Sequence, residues 1–107
     1  MEQPNLKYIE QLARGEESIK KTLIGVIKTE FPDEIRDYFS SIEIKDFKRI
    51  EDNVHRIKHK FSILGLESSY NNAVAFELNL RENILLKKQK EEFKNTLEVI
   101  SKFLKTI

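Results

Sequence analysis

The chain has 107 residues, 39% of them apolar and 35% charged, which suits one compact domain with one core rather than a disordered segment. Nineteen basic and eighteen acidic residues give a formal net charge of +1, which argues against a nucleic-acid binder of this size. The chain has no cysteine, no apolar run long enough to span a membrane and no signal-peptide pattern, so we expect a cytoplasmic protein without disulfides or thiolate chemistry.

Only three glycines and two prolines interrupt a sequence rich in lysine, glutamate, leucine and isoleucine, which is typical of helices. A short first helix is predicted from about Asn5, its N-cap, to Ala13, with Gly15 after its end. A long second helix is predicted with a bend near Lys28, because Pro32 removes a hydrogen bond and crowds the preceding turn. Its apolar stripe comprises Ile19, Leu23, Val26, Ile27, Phe31, Ile35, Phe39 and Ile42.

The third predicted helix, about residues 45–64, is the most regular, and Gly65 closes it. Its apolar seam steps by three and four residues through Phe47, Ile50, Val54, Ile57, Phe61 and Leu64. A fourth helix is predicted over about 67–82, with serines able to cap it, and a fifth runs from near Phe93 to the end. Each long helix has one apolar face and the connections are short. We therefore expect an all-α fold, an antiparallel four-helix bundle with a short N-terminal helix, as a single domain over residues 1–107.

Both histidines of the chain fall on the third helix, four residues apart. At about 100° per residue, His55, His59 and Ser62 point roughly 110° to 170° away from the apolar seam, and Lys58 about 70°. These four side chains are predicted to form one polar patch on the outer side of the helix. A zinc site on the histidine pair is disfavoured, because it needs further ligands and the chain has no other histidine or cysteine. We therefore expect no metal site.

The residues around the first histidine form a known pattern. His55 is followed by Ile57, Lys58, Leu64 and Gly65, which gives H-x-I-K-x-x-x-x-x-L-G. This resembles the phosphorylation motif of histidine-containing phosphotransfer (HPt) domains, in which H-x-[LI]-K-G-x-x-x-x-[LV]-G is typical. The segment NLKYIEQLARGEESIKKTLIGVIKTEFPDEI also looks like the short first and long second helices of that family. The family fold is the bundle predicted above.

The resemblance implies that His55 carries a phosphoryl group between receiver domains, one in a hybrid sensor histidine kinase and one in a response regulator. Neutral imidazole is a competent nitrogen nucleophile for such a step. Lys58 would offset charge on the phosphoryl oxygens. Glu77 falls where some family members place an acidic residue that hydrogen-bonds the imidazole Nδ1 and orients the ring. Because the receiver would supply Mg²⁺, we expect no cofactor bound by this chain itself. We also expect a monomer with no kinase activity and no membrane or nucleic-acid partner.

The residues themselves leave two of these roles open. Lys58 can instead lie along the seam with its ammonium group in water, as lysines on most helices do. Glu77 interrupts an apolar stripe with Ala73 and Leu80, which is the register that fits the orienting role. A slightly rotated register through Phe76 and Leu80 would turn the same carboxylate toward solvent.

One departure from the family pattern affects docking. His59 stands where the family has a glycine, whose small size leaves room for the receiver. The predicted docking surface comprises His59 and Ser62, with Ile63 as its exposed apolar residue and with Arg56 and Lys60 complementing the acidic pocket of a receiver. An alternative is therefore an HPt-like adaptor or inhibitor that binds a receiver or kinase without carrying phosphate. A third hypothesis is a helical scaffold that self-associates through its last helix.

Overall fold

The computed structural model describes residues 2–107, and all regular secondary structure in that range is helical. The helices are α1 (Lys7–Ala13), α2 (Glu17–Glu43), α3 (Phe47–Ile63), α4 (Glu67–Arg81) and α5 (Lys87–Leu104). They pack in chain order, α1 on α2, α2 on α3, α3 on α4 and α4 on α5, and the α3–α4 contact is the most extensive. Within residues 2–107, none of the helices combines the length and the apolar character that crossing a membrane requires. The prediction of an all-α fold is confirmed.

Helix α2 continues through Pro32 as one helix, but its buried face differs from the predicted stripe. Ile19, Val26 and Phe39 are 40%, 47% and 40% exposed, so their assignment to the buried stripe was wrong. The buried residues instead step by four and three along one line, which makes a single face of the helix. They are Ile27, Phe31, Glu34, Tyr38 and Ser41. Apolar periodicity did not predict this buried face, because two of its residues, Glu34 and Ser41, are polar.

Helix α3 follows the predicted seam. The side chain of Asp46 caps its first turn by accepting a hydrogen bond from the Arg49 amide at 3.2 Å. The seam residues are fully buried, with Phe47 partly buried at the start of the helix. They are Ile50, Val54, Ile57, Phe61 and, just beyond the helix, Leu64. Helix α3 packs against both α2 and α4.

The turn after α3 is held by the N-terminal segment. Gly65 has a φ of +77°, the left-handed conformation that glycine adopts without strain. A Cβ atom at this position would lie 2.5 Å from the Asn5 side-chain nitrogen, so any other residue would also displace that side chain. The backbone N–H of Asn5 donates a hydrogen bond to the Leu64 carbonyl oxygen at 2.8 Å. The N-terminal segment therefore fixes the point at which the chain turns from α3 into α4.

Helix α4 is capped by a residue distant in sequence. The Glu2 carboxylate accepts hydrogen bonds from the Ser68 amide at 2.9 Å and from the Ser69 amide at 3.3 Å. No side chain of α4 or of its N-cap residue, Leu66, makes a capping hydrogen bond. The expectation that the serines themselves cap this helix was therefore wrong, and Glu2 supplies the acceptor that the first turn lacks.

An aromatic cluster joins four helices in the core. The ring of Phe93 on α5 lies 4.8 Å from the ring of Tyr38, 5.3 Å from that of Phe61 and 5.5 Å from that of Phe76, measured between centroids. Tyr38 is fully buried, and its hydroxyl has no hydrogen-bond partner among residues 2–107. Because burial disfavours the charged phenolate, the pKa of Tyr38 is raised well above its usual range. The Phe93 ring therefore connects α5 to α2, α3 and α4 in the core.

Candidate functional site: an exposed imidazole on a buried carboxylate

Helices α3 and α4 bring His55 and Glu77 together. His55 lies opposite the buried seam of α3, and its side chain is 56% exposed, whereas the Glu77 side chain is only 3% exposed. The Nδ1 atom of His55 lies 3.0 Å from Glu77 Oε2. Because a carboxylate only accepts hydrogen bonds, Nδ1 is the donor, and in the neutral ring Nε2 carries the lone pair. No residue of the described range 2–107 hydrogen-bonds Nε2.

The residues of both apolar stripes predicted for α4 are buried. Ala73, Phe76, Glu77 and Leu80 all lie in the core, because α4 packs against both α3 and α5. The solvent-facing alternative for Glu77 is therefore wrong. A helix between two neighbours buries more than one narrow stripe, and a carboxylate on the α3 side is buried with it.

Lys58 lies beside the same carboxylate. It is buried, and its ammonium nitrogen is 2.5 Å from Glu77 Oε1 and 5.7 Å from the centroid of the Tyr70 ring. Although the angles depart from hydrogen-bond geometry, charge pairing satisfies this otherwise unpartnered oxygen. Lys58 was placed on an outer polar patch with His59 and Ser62, and that placement was wrong. The attraction of the buried carboxylate draws the ammonium group inward.

A cation that sequence reasoning missed completes the cluster. The guanidinium of Arg81 lies 3.6 Å from Glu77 Oε2, and its Nε atom lies 2.6 Å from Glu51 Oε2 on α3. The hydrogen bond to Glu51 raises the pKa of Arg81. Arg81 follows Glu77 by four residues on α4, and this i,i+4 spacing was the available signal. Glu77 is therefore contacted by an imidazole, an ammonium group and a guanidinium group.

His59 lies on the outer side of α3, next to His55. Both imidazoles are exposed, and their ring centroids are 5.1 Å apart with the ring planes at 90°. Ser62 is also exposed on the following turn. The predicted outward orientation of these three residues is confirmed.

Lys60 is not a surface residue, contrary to expectation. Its ammonium nitrogen lies 2.9 Å from Glu34 Oε1 and 3.0 Å from Glu30 Oε1, both on α2, and Lys60 and Glu34 are both buried. Arg56 is about half exposed and pairs with Asp37 at 3.1 Å and with Glu34 at 3.6 Å. These ion pairs bind α3 to α2. Lys60 therefore lies within the fold and is removed from the predicted docking surface.

Ile63 was expected to be the exposed apolar residue of that surface, and this too was wrong. It is partly buried and packs against the core at the end of α3. Of the predicted docking surface, only Arg56, His59 and Ser62 are exposed.

The arrangement holds a nucleophilic nitrogen in a fixed orientation. The bond from Nδ1 to Glu77 sets the tautomer and the ring angle, and the carboxylate can stabilise positive charge that develops on the imidazole when Nε2 forms a bond.

Within residues 2–107, no three or more histidine, cysteine, aspartate or glutamate side chains form a group suited to a metal ion. Comparisons of the chain with models of protein families, with curated proteins and with solved structures find no significant match.

Proposed function

We propose that this protein is a histidine phosphotransfer protein that relays a phosphoryl group between receiver domains through His55. The observation that carries the proposal is the contact between the exposed His55 imidazole and the buried Glu77 carboxylate, 3.0 Å from Nδ1 to Oε2. A surface histidine with no chemical role needs no buried carboxylate to orient it. The HPt-like pattern around His55 and Lys58 supports the same assignment.

The chemistry is a reversible displacement at phosphorus. The Nε2 lone pair attacks the phosphorus of an aspartyl phosphate on the receiver, the N–P bond forms, and the P–O bond to the aspartate breaks and leaves a carboxylate. The Nδ1 proton stays on the ring, hydrogen-bonded to Glu77, which stabilises the positive charge on the phosphorylated imidazole. Transfer to a second receiver is the reverse reaction. The receiver supplies Mg²⁺, so the chain needs no cofactor of its own and no kinase activity.

Lys58 serves this reaction through charge. Its ammonium group balances the buried charge of Glu77, 2.5 Å away, before transfer. A phosphoryl group on His55 would add negative charge beside the same cluster, and Lys58 would then offset the charge of the phosphoryl oxygens. Glu77 is in this proposal the residue that orients the imidazole.

The proposed assembly follows from the same reasoning. Helices α2 to α5 would form an antiparallel four-helix bundle with α1 across one end, as packing between successive helices and the Arg81–Glu51 contact suggest. The chain would act as a single-domain monomer in the cytoplasm. Its partners would be the receiver domain of a response regulator and a hybrid sensor histidine kinase, and it would bind neither membrane nor nucleic acid.

One observation favours a second candidate function. The His59 ring lies 5.1 Å from the His55 ring, at the position where the HPt pattern has glycine, and it occupies space beside the proposed carrier nitrogen. A receiver that docks there without reaching Nε2 would make the protein an adaptor or an inhibitor that binds without transferring phosphate.

Phosphotransfer from a radiolabelled, Mg²⁺-bound phospho-receiver tests these functions. Wild type, His55→Ala and His59→Ala are compared, and the product is tested for the acid lability and base stability of phosphohistidine. We expect label on wild type and His59→Ala and none on His55→Ala, whose helicity stays unchanged because the side chain is exposed. Label lost only in His59→Ala would overturn the assignment. Binding to receivers with no label on any protein would establish the adaptor.

A further inference from the structure

The two histidines have the separation of a chelating pair. They are the only histidines of the chain, both are exposed on α3, and their ring centroids lie 5.1 Å apart. Imidazole nitrogens bind zinc at about 2.0–2.1 Å, so two rings that share one tetrahedral ion have centroids about 5 Å apart. The separation of the two rings therefore matches that of two imidazoles on one ion.

The environment of His55 also favours metal binding. Glu77 accepts a hydrogen bond from the Nδ1–H of His55 at 3.0 Å, which leaves Nε2 as the free ligand atom. Histidine ligands in metal sites usually donate their other ring N–H to a carboxylate or carbonyl, which fixes the tautomer and makes the ligand nitrogen more basic. The buried carboxylate thus prepares Nε2 for a metal ion as it does for phosphorus.

We propose that His55 and His59 together bind one divalent transition-metal ion of the zinc or copper class, with water in the remaining positions. Two imidazole nitrogens suit these ions, whereas calcium and magnesium prefer oxygen ligands. This departs from the sequence-based expectation of no metal site: the lack of a third protein ligand within residues 2–107 excludes a permanently held structural metal, and the proposed ion is instead one that two imidazoles and water hold reversibly. A metal on Nε2 occupies the lone pair that would attack phosphorus, so the ion inhibits phosphotransfer. This inhibitory effect rests on the function proposed above; the binding site does not.

Metal titration of the protein without a polyhistidine tag tests the site directly. Zinc chloride is added while NMR follows the ring-nitrogen resonances of both histidines in wild type, His55→Gln and His59→Gln. We expect one equivalent to shift both rings together, and affinity to fall at least about tenfold in either variant, because losing one ligand removes the intramolecular second contact. Lys21→Gln, at an exposed position on α2, serves as the control and should bind as wild type does. No binding by wild type, or equal binding by His59→Gln, would overturn the site.

Phosphotransfer measured with and without zinc, at constant free Mg²⁺, tests the inhibition. The ratio of the two rates is compared between wild type and His59→Gln. We expect zinc to slow wild type and to leave His59→Gln nearly unaffected, and a zinc-selective chelator to restore the wild-type rate. Equal inhibition of both proteins would place the metal on the receiver and overturn the inhibitory role. Zinc binding without any phosphotransfer would refute the proposed function but support the metal site. Phosphotransfer without zinc binding would support the proposed function and refute the metal site.

Discussion

The exposed imidazole of His55 rests on the buried carboxylate of Glu77, with 3.0 Å between Nδ1 and Oε2. A carboxylate that is almost fully buried is costly unless cations compensate it, and Lys58 and Arg81 supply that compensation from α3 and α4. The proposed carrier site is therefore also part of the interior of the protein. Substitutions there change stability and phosphotransfer together, and paired variants are needed to separate the two effects.

Replacing Glu77 with alanine should impair both properties. The Lys58 ammonium loses its buried partner, so the free energy of unfolding should fall by about 3 kcal/mol. The imidazole loses the bond that orients it, so single-turnover phosphotransfer should slow at least about tenfold. Urea denaturation and rapid-quench transfer measure the two effects.

A double variant separates these effects. Lys58→Met combined with Glu77→Leu replaces the ion pair with apolar side chains and leaves no lone buried charge, so most of the lost stability should return. Transfer should stay slow, since neither the orienting carboxylate nor the ammonium is present. A double variant that transfers at the wild-type rate would show that Glu77 and Lys58 have only a structural role.

Lys60→Met should destabilise the protein. Glu34 would keep only the more distant Arg56 as a cationic partner, and the expected loss is about 3 kcal/mol in the free energy of unfolding. The double variant Lys60→Met with Glu34→Leu should unfold near the wild-type urea midpoint. Receiver binding should keep its dependence on salt, because Lys60 is buried. Unchanged stability combined with weaker receiver binding would place Lys60 at the interface after all.

Tyr38→Phe should leave stability near pH 7 unchanged or raise it by up to about 1 kcal/mol, because the buried hydroxyl has no partner to lose. The effect should grow at alkaline pH. In the unfolded chain a phenol ionises near pH 10, whereas burial raises the pKa of Tyr38 in the folded protein. Stability is thus fully present below pH 10 and falls as pH rises above it. Urea unfolding from pH 7 to about pH 11 should show a shallower decline for Tyr38→Phe, while Tyr8→Phe, at an exposed position, should follow wild type.

Glu2→Ala should weaken the start of α4. The variant removes the acceptor for the Ser68 and Ser69 amides, which should cost about 1 kcal/mol, the usual value of a helix cap. Hydrogen exchange of these amides should accelerate. Glu16→Ala is the matched control, since Glu16 flanks the start of α2 without a capping hydrogen bond. Unchanged exchange at both serine amides would contradict the capping role of Glu2.

Local periodicity was sufficient for much of the fold. The seam of α3 was predicted residue by residue, because a helix with one apolar line turns that line toward its neighbours. The outward positions of His55 and His59 followed from the same rotation. In α2 apolar periodicity predicted the wrong face, because Glu34 and Ser41 are buried and Val26 is exposed.

The sequence by itself determined the helices, the face of α3 that enters the core and the exposure of both histidines, since these depend on residues within a few turns of one another. Only the tertiary structure decided that Lys58 and Lys60 are buried and that Glu77 reaches His55. The reason is physical: each of these two ammonium groups is buried because a carboxylate on another helix pairs with it. Spacing along one helix holds no information about that partner, and α2 supplies it for Lys60 as α4 does for Lys58.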